Sequence, residues 1–251
     1  MKIVGIIPAR MAASRFPNKP LKKILGEPMI LHVYKRAIKS KCDKIYISSC
    51  DQEIKEFCKL KKIPFIKTSK KHTRALDRVA EAANILRLQN KDIVLCIQGD
   101  EPMLTPKMIN ILIEPIKSKI AVATMLGIII NSEDMWRNRD ILKIIHNKKK
   151  EILYTSRSPI PYIGNFSKEL KIPRIGGIFA FIKKNLIDFT NFKETYLEKI
   201  ESCDSNRILD MDFCQHVVLH PAGNYFSVDT KADLVKVENE FKKNNNHKKY
   251  L

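Results

Sequence analysis

Apolar residues follow two rhythms along the chain, and the alternation between them predicts a parallel sheet covered by helices. Lys2 to Ile7 reads KIVGII, a continuous apolar run that stops at Pro8, as expected of a buried central strand feeding a loop. From Pro28 to Ser40, Met29, Ile30, Val33, Ala37 and Ile38 recur at helical spacing, and Pro28 suits a first helical turn. KIYISS at 44–49 reads as the second strand. Asp51 is expected to cap a helix ending near Lys61, followed by the strand IPFIK at 63–67, a helix from Leu76 to Leu88 and the strand DIVLCIQ at 92–98. Thr105 and Pro106 open another helix before the strand IAVATML at 120–126. Alternation of this kind places ligands outside the carboxyl ends of the strands.

The rhythm loosens after Gly127. Short apolar runs between Pro159, Pro161 and Pro173 predict a small antiparallel lobe around 128–175. IGGIFAF at 175–181 resumes a buried strand, Asn185 to Phe189 reads as helix, and Ala232 to Phe241 as a final helix. No repeat or low-complexity linker interrupts residues 1–251, so a single domain carrying that lobe is expected.

Composition narrows the classes. A chain of 251 residues can bury one substantial core, its hydrophobic share of 44% is ordinary for a globular protein, and no apolar run approaches bilayer length. Met1-Lys2 leads at once to Pro8 and Arg10, without the pattern of a secretory peptide, so a cytoplasmic protein with no membrane partner is expected. The six cysteines, at 42, 50, 58, 96, 203 and 214, form neither a CxxC pair nor a zinc-ligand spacing with histidine; reduced thiols are the expectation. The formal charge of +19 comes mostly from scattered lysines. Its tight runs, Lys148 to Lys150 and the tail 241–249, read as a solvated turn and a frayed end, so no nucleic-acid partner is expected. A basic nucleic-acid-binding protein stays as the non-enzyme alternative.

Three motifs carry chemistry. IIPARMAASRFPNKPL places Arg10, Arg15 and Lys19 just beyond the first strand, where fixed guanidinium groups can bind phosphate oxygens bidentately and a lysine serves as a mobile point charge. Neither GxxxxGK[ST] nor GxGxxG occurs, so the loop is a polyphosphate cradle of another kind or simply a solvated basic loop. Gln98-Gly99-Asp100-Glu101-Pro102 ends the strand 92–98 at the same edge. Asp100 there is a candidate Mg²⁺ ligand, because Mg²⁺ favours one or two carboxylates plus substrate phosphates; the alternative is a tight turn. Phe226-Ser227-Val228-Asp229-Thr230 supplies Asp229 as a second candidate ligand, while Thr230 is better read as a helix cap. The histidines at 32, 72, 146, 216, 220 and 247 form no triad-like arrangement.

Together with HTRALDRVAEAA, CIQGDEPML, YTSRSPIP and SVDTKADL, the first loop resembles the 3-deoxy-manno-octulosonate (KDO) cytidylyltransferases over almost the whole chain, and more distantly the CMP-sialate synthetases. The resemblance implies a Rossmann-like nucleotidyltransferase fold, mostly parallel, with a small antiparallel dimerisation lobe. It implies a Mg²⁺-dependent homodimer that makes the CMP-sugar and pyrophosphate from CTP and KDO or a related ulosonic acid, for lipopolysaccharide or surface-glycan synthesis. By the family pattern Arg10, Ser14, Arg15 and Lys19 hold the CTP phosphates, and Asp100 and Asp229 hold the metal, with Lys19, Asp100 and Asp229 as the catalytic set. Asp77 and Arg78 fall in the nucleotide-binding segment, and Gln98, Arg157, Glu201 and Ser205 fall on the sugar side.

The chain departs from that pattern at three places. The family's H-x-S-G-T-[DE]-R reads His72-Thr73-Arg74-Ala75-Leu76-Asp77-Arg78, with Arg74 as a substitute base contact or a solvated side chain. Its His-[IL]-Gly-[IL]-[YF] reads Ile175-Gly176-Gly177-Ile178-Phe179, and its E-x-L-E-Q-L-R reads Glu201 to Arg207 with Ser205 at the position of the Gln. Polar changes gathered on the sugar side are the kind that signal a different acceptor. The alternatives are a nucleotidyltransferase for a sugar phosphate or another phosphorylated alcohol, and an inactive paralogue, which the retained Asp100 and Asp229 argue against.

Overall fold

The computed structural model describes residues 1–12, 16–167 and 169–243. In chain order the elements begin with β1 (Ile3–Pro8), β2 (Lys23–Ile24), β3 (Glu27–Pro28), α1 (Met29–Ala37), β4 (Lys44–Ser49), α2 (Gln52–Leu60) and β5 (Phe65–Lys67). There follow α3 (Ala75–Ile85), β6 (Ile93–Ile97), α4 (Pro106–Lys117), β7 (Ala123–Ile129), α5 (Glu133–Arg137), β8 (Lys143–His146) and β9 (Ile152–Ser156). The chain closes with β10 (Pro173–Ile182), α6 (Lys183–Asn191), α7 (Tyr196–Glu201), β11 (His216–His220) and α8 (Lys231–Lys243). Two compact units divide it, Met1–Asn110 with Asn224–Leu251, and Ile111–Gly223.

In the first unit β6, β1, β4 and β5 pair in that order, every pair parallel, with Ile3 opposite Ile93, Gly5 opposite Ile45 and Ile47 opposite Phe65. All six residues of β1 are buried, which is why its sequence is a continuous apolar run and not an alternating one. The helices between these strands are amphipathic: α2 buries only Ile54 and Cys58, one turn apart, whereas α3 buries Leu76, Val79, Ala80, Ala82 and Ala83. A separate apolar cluster of Ile24, Met29, Met103, Val228, Val237 and Phe241 joins the start of α1 to α8. It fixes the chain's return near the carboxyl end of β6, and each buried aliphatic or aromatic side chain contributes about 1.5–3 kcal/mol.

The second unit mixes orientations. β11 runs parallel to β7, β10 antiparallel to β7 and to β8, and β8 antiparallel to β9. The mixed α/β expectation with a small antiparallel portion therefore holds. The β7–β10 register shifts between Ile175 and Phe179, where Gly177 takes φ 67° and a Cβ on Gly176 would meet Leu126 Cδ2 at 2.7 Å. Ile130, Trp136 and Ile172 make a local core beneath the proline-rich segment. Lys148 to Lys150 form the exposed turn between β8 and β9, as their charge predicts.

One local expectation needs correction. Asp51 precedes α2 but makes no side-chain cap; its carboxylate instead accepts the Met11 N–H at 2.7 Å and the Ser49 hydroxyl at 3.2 Å. A backbone donor in the loop after β1 thus takes the acceptor that the helix end would have used. β11, α5 and α7 were not foreseen from the apolar pattern. Thr105 does accept the Met108 N–H, at 3.3 Å, and all six cysteines are free thiols. Among the described residues no helix is long and apolar enough to cross a membrane.

Candidate active site

The loop after β1 is tied down at several points. Ala9 N–H donates to Ser48 O at 2.9 Å, Met11 N–H to Asp51, and Asn18 N–H back to Met11 O at 3.1 Å. Asn18 adopts a left-handed conformation, φ 59°, that turns the chain into a short 3-10 segment, Lys19–Leu21. Asn is among the residues that accept this geometry most readily. The segment delivers Lys19 to the carboxyl end of β6.

There the Lys19 ammonium lies 2.7 Å from Asp100 Oδ2 and 3.2 Å from Asp229 Oδ1. Its side chain is only 13% exposed, against 25% for Asp100 and 44% for Asp229. Burial pulls the Lys19 pKa down, but the charges and hydrogen bonds of Asp100 and then Asp229 outweigh it and raise it above the ordinary lysine value. Asp100 reaches this position because Gly99 lets the strand end pass the β1 carboxyl end: a Cβ there would stand 3.0 Å from Pro8 O. Asp229 is held by Val228 N–H donating to Asp100 O at 2.9 Å and by the Ser227 hydroxyl donating to Glu101 Oε1. Thr230 and Asp233 bond reciprocally at the start of α8, so Thr230 is indeed a cap, and Asp229 remains directed at Lys19.

The two carboxylates fit a divalent cation. Asp100 Oδ1 is buried with no hydrogen-bond partner among the described residues, leaving a lone pair suited to a ligand bond. No group of three or more His, Cys, Asp or Glu side chains there could hold a metal by itself. Two converging carboxylates suit Mg²⁺, which completes its shell with water and phosphate oxygens.

A cavity of about 290 Å³ opens beside this cluster, and its walls include Arg10, Lys19, Arg74, Arg78, Gln98 and Asp100. Arg10 is exposed and Arg74 half-buried. Arg78 is 3% exposed and its guanidinium donates to Thr68 Oγ1, Ser69 O and His72 O, stapling the 68–72 loop whose last residue, His72, lines the cavity. Glu81, one turn further along α3, accepts the Ser69 N–H at 2.8 Å and contacts His72 Nε2 at 2.7 Å. Asp77 is half-buried on α3 and is not part of the cavity lining. Ser14 and Arg15 lie outside the described residues.

Arg157, Glu201 and Ser205 belong to the second unit. The Glu201 carboxylate accepts the Tyr154 hydroxyl at 2.9 Å, the Ser156 hydroxyl at 2.6 Å and the Arg157 N–H at 2.8 Å, while Arg157 Nε donates to Glu201 O at 2.9 Å. Burial raises the Glu201 pKa, but these donors, Arg157 first, overcome it and hold the carboxyl below its usual range. Three of about four acceptor sites on the carboxylate are thus in use, so Glu201 acts on the position of Arg157. Lys143, buried on β8, donates to the carbonyls of Asn138, Ile141 and Arg157 at 2.9, 2.7 and 2.6 Å. Burial, with Arg157 adding and Glu201 opposing, pushes its pKa down to about 8. Ser205 is 5% exposed, within the 3-10 segment Asp204–Asp210.

A family model described as cytidylyltransferase matches residues 4–217. The chain belongs to the cytidylyltransferase family. Among its relatives, the 3-deoxy-manno-octulosonate cytidylyltransferase of Fusobacterium nucleatum is 36% identical, over 98% of this chain and 99% of its own length. That of Syntrophobacter fumaroxidans is 35% identical, over 93% and 94%. A solved structure of CMP:2-keto-3-deoxy-manno-octonic acid synthetase complexed with CTP matches with a TM-score of 0.88 and 29% identity, covering 97% of this chain and 99% of that one.

This cytidylyltransferase uses more residues around the cavity than its motifs suggested. Phe16 and Met29 line it, the first an apolar residue within the first-loop motif and the second read in the sequence only as part of an apolar helix stripe. Glu81 could have been found from its place three residues after Arg78, which puts both side chains on one helix face. Glu101 and Ser227 fall inside two of the motifs, but nothing local signals that they pair, and Lys143 bonds backbone carbonyls, which leave no mark in the sequence.

Proposed function

We propose that this cytidylyltransferase transfers CMP from CTP to KDO or a closely related ulosonic acid, releasing pyrophosphate. The observation that carries the reading is the Lys19 ammonium between Asp100 and Asp229, beside a cavity walled by Arg10, Arg74 and Arg78. An array of cations next to two carboxylates suits a triphosphate arriving with a divalent metal. The names of the relatives add the nucleotide and the acceptor.

In this reading Arg10 and Lys19, with Ser14 and Arg15, hold the phosphates, and Arg74, Asp77 and Arg78 serve the nucleoside end. Arg78 does so by fixing the 68–72 wall. Gln98 and Arg157 face the sugar acid, and Glu201 and Ser205 shape that side. The anomeric hydroxyl of the acceptor forms a bond to the α-phosphorus as the bond to the bridging α–β oxygen breaks; pyrophosphate leaves in line and the hydroxyl proton passes to solvent. Charge neutralisation and alignment supply most of the rate enhancement in such a transfer. Asp100 and Asp229 would hold Mg²⁺, whose contribution when bound is to neutralise the phosphates and acidify the attacking hydroxyl. The protein works on this account as a Mg²⁺-dependent cytoplasmic homodimer supplying lipopolysaccharide or surface-glycan synthesis.

Pyrophosphate release from CTP, measured across a panel of sugar acids and sugar phosphates, tests the reading. Turnover with KDO or a neighbouring ulosonic acid supports it; turnover confined to sugar phosphates overturns it. Weak turnover of KDO beside strong turnover of another sugar acid would reject KDO as the acceptor and keep the reaction.

A further inference from the structure

Asp229 lies on a stretch, 221–229, that has no regular secondary structure and meets Asp100 from far along the chain. At its end the Asp229 N–H donates to Asp233 Oδ2 of α8 at 3.3 Å. Two adjacent cross-links tie the residues just before it to the segment after β6. Val228 N–H donates to Asp100 O at 2.9 Å, and one residue earlier the Ser227 hydroxyl donates to Glu101 Oε1. The first joins main chain to main chain; the second joins the neighbouring residues through their side chains. Val228 is fully buried in the cluster with Ile24, Met29 and Phe241, which anchors the segment from its other side.

Glu101 is 7% exposed, and a carboxylate is an expensive group to bury. An apolar pair filling the same gap would give a cheaper fold, so the pair's contribution is one of direction. A hydrogen bond between Ser227 and Glu101 resists rotation of 227–229 about the Val228–Asp100 link and so limits where the Asp229 carboxylate can lie.

We infer that Ser227 and Glu101 form a positioning pair that sets Asp229 opposite Asp100 and thereby tunes how tightly the two carboxylates take a divalent cation. The inference rests on the two-carboxylate metal reading of the proposed function. Neither residue touches the reacting atoms; both act through Asp229.

The test uses the full chain with CTP and Mn²⁺ as the probe, following free Mn²⁺ by electron paramagnetic resonance, alongside the Mg²⁺ dependence of pyrophosphate release. Losing one net hydrogen bond corresponds to about a three- to tenfold change in an equilibrium constant. Ser227→Ala is expected to raise both the Mn²⁺ dissociation constant and the half-saturating Mg²⁺ concentration by about that factor, with KM for CTP at saturating Mg²⁺ little changed. Ser227→Thr, which keeps the hydroxyl, is expected to restore the wild-type values. Glu101→Met removes the acceptor and gives at least the same shift, and Ser227→Ala adds no further shift in its presence, since the hydroxyl acts through Glu101. Should Ser227→Ala fail to fold, Glu101→Met against Glu101→Gln makes the same comparison, with Gln expected to retain metal affinity. A lower melting temperature with unchanged Mn²⁺ affinity would overturn the positioning role alone. Wild-type protein that binds no Mn²⁺ with CTP would overturn the metal reading together with it.

Discussion

Replacing Lys19 by Met removes the cation that, among the described residues, lies between Asp100 and Asp229, while keeping the length of the side chain. The stronger contact, 2.7 Å to Asp100, lies between side chains 13% and 25% exposed and is a charge-assisted hydrogen bond of about 1.5–3 kcal/mol. The 3.2 Å contact reaches a carboxylate 44% exposed, where solvent limits the gain to less than about 1 kcal/mol. The loss should therefore be about 2 kcal/mol, or a melting temperature about 4–8 °C lower for a chain of this size. With the internal cation gone the carboxylates repel each other, so Mg²⁺ should now stabilise the free protein. At ten times its dissociation constant the metal returns about 1.4 kcal/mol. Calorimetric melting with and without Mg²⁺ reads both effects, and pyrophosphate release should fall by about 10²–10³-fold because the ammonium no longer serves the phosphates. The pH dependence has a definite sign: Asp100 and Asp229 raise the Lys19 pKa despite burial, so its stabilisation is complete below 10.5 and is lost as pH climbs through the higher folded value. The variant should lack that alkaline loss. Wild-type stability and activity in Lys19→Met, or a Mg²⁺ stabilisation no greater than in wild type, would refute this reasoning.

Asp100→Asn and Asp229→Asn should each reduce turnover by more than about a thousandfold while leaving the circular dichroism spectrum intact; activity near wild type in either removes the two-carboxylate site. Arg78→Met frees the 68–72 wall from three hydrogen bonds and should raise KM for CTP by about tenfold with kcat less affected, checked by steady-state kinetics at saturating Mg²⁺. Arg157, Ser156 and Tyr154 depress the Glu201 pKa against the effect of burial, so its stabilisation is full above 4.5 and fades as pH falls through the lower folded value. Acid titration of Glu201→Gln should show a shallower loss below pH 4.5 than wild type, and parallel curves would contradict the assignment.

The parts of the fold visible in the sequence were those whose pattern is local. β1, β4 and β6 announce themselves as apolar runs, and α1 and α3 as apolar stripes, because burial on both faces or on one face leaves a direct periodic mark. β11 escaped because only Val217, Val218 and Leu219 stand between His216 and His220, too short a run to read. α7 is six residues long, yet Thr195 and Glu198 form a capping box whose spacing was there to be found. The Lys19–Asp100–Asp229 cluster was legible residue by residue, since each of the three lies in a motif of its own, Asp100 at the end of β6 and Asp229 just before α8. What fixes them was not: Asp51 on Met11, Glu101 on Ser227 and Lys143 on the Arg157 carbonyl are contacts between distant segments, and no local spacing encodes them. Asp51 shows the cost of reading locally, because a helix-capping residue type in a capping position bonds the loop after β1 instead.

The most direct test of the account follows one isotope. Incubated with KDO, Mg²⁺ and CTP labelled with ³²P at the α-phosphate, the protein should move the label into a CMP-sugar and release unlabelled pyrophosphate in equal amount. Label that stays in CDP or CMP, or that never appears in a sugar product with any ulosonic acid, would contradict attack at the α-phosphorus in the Lys19–Asp100–Asp229 site.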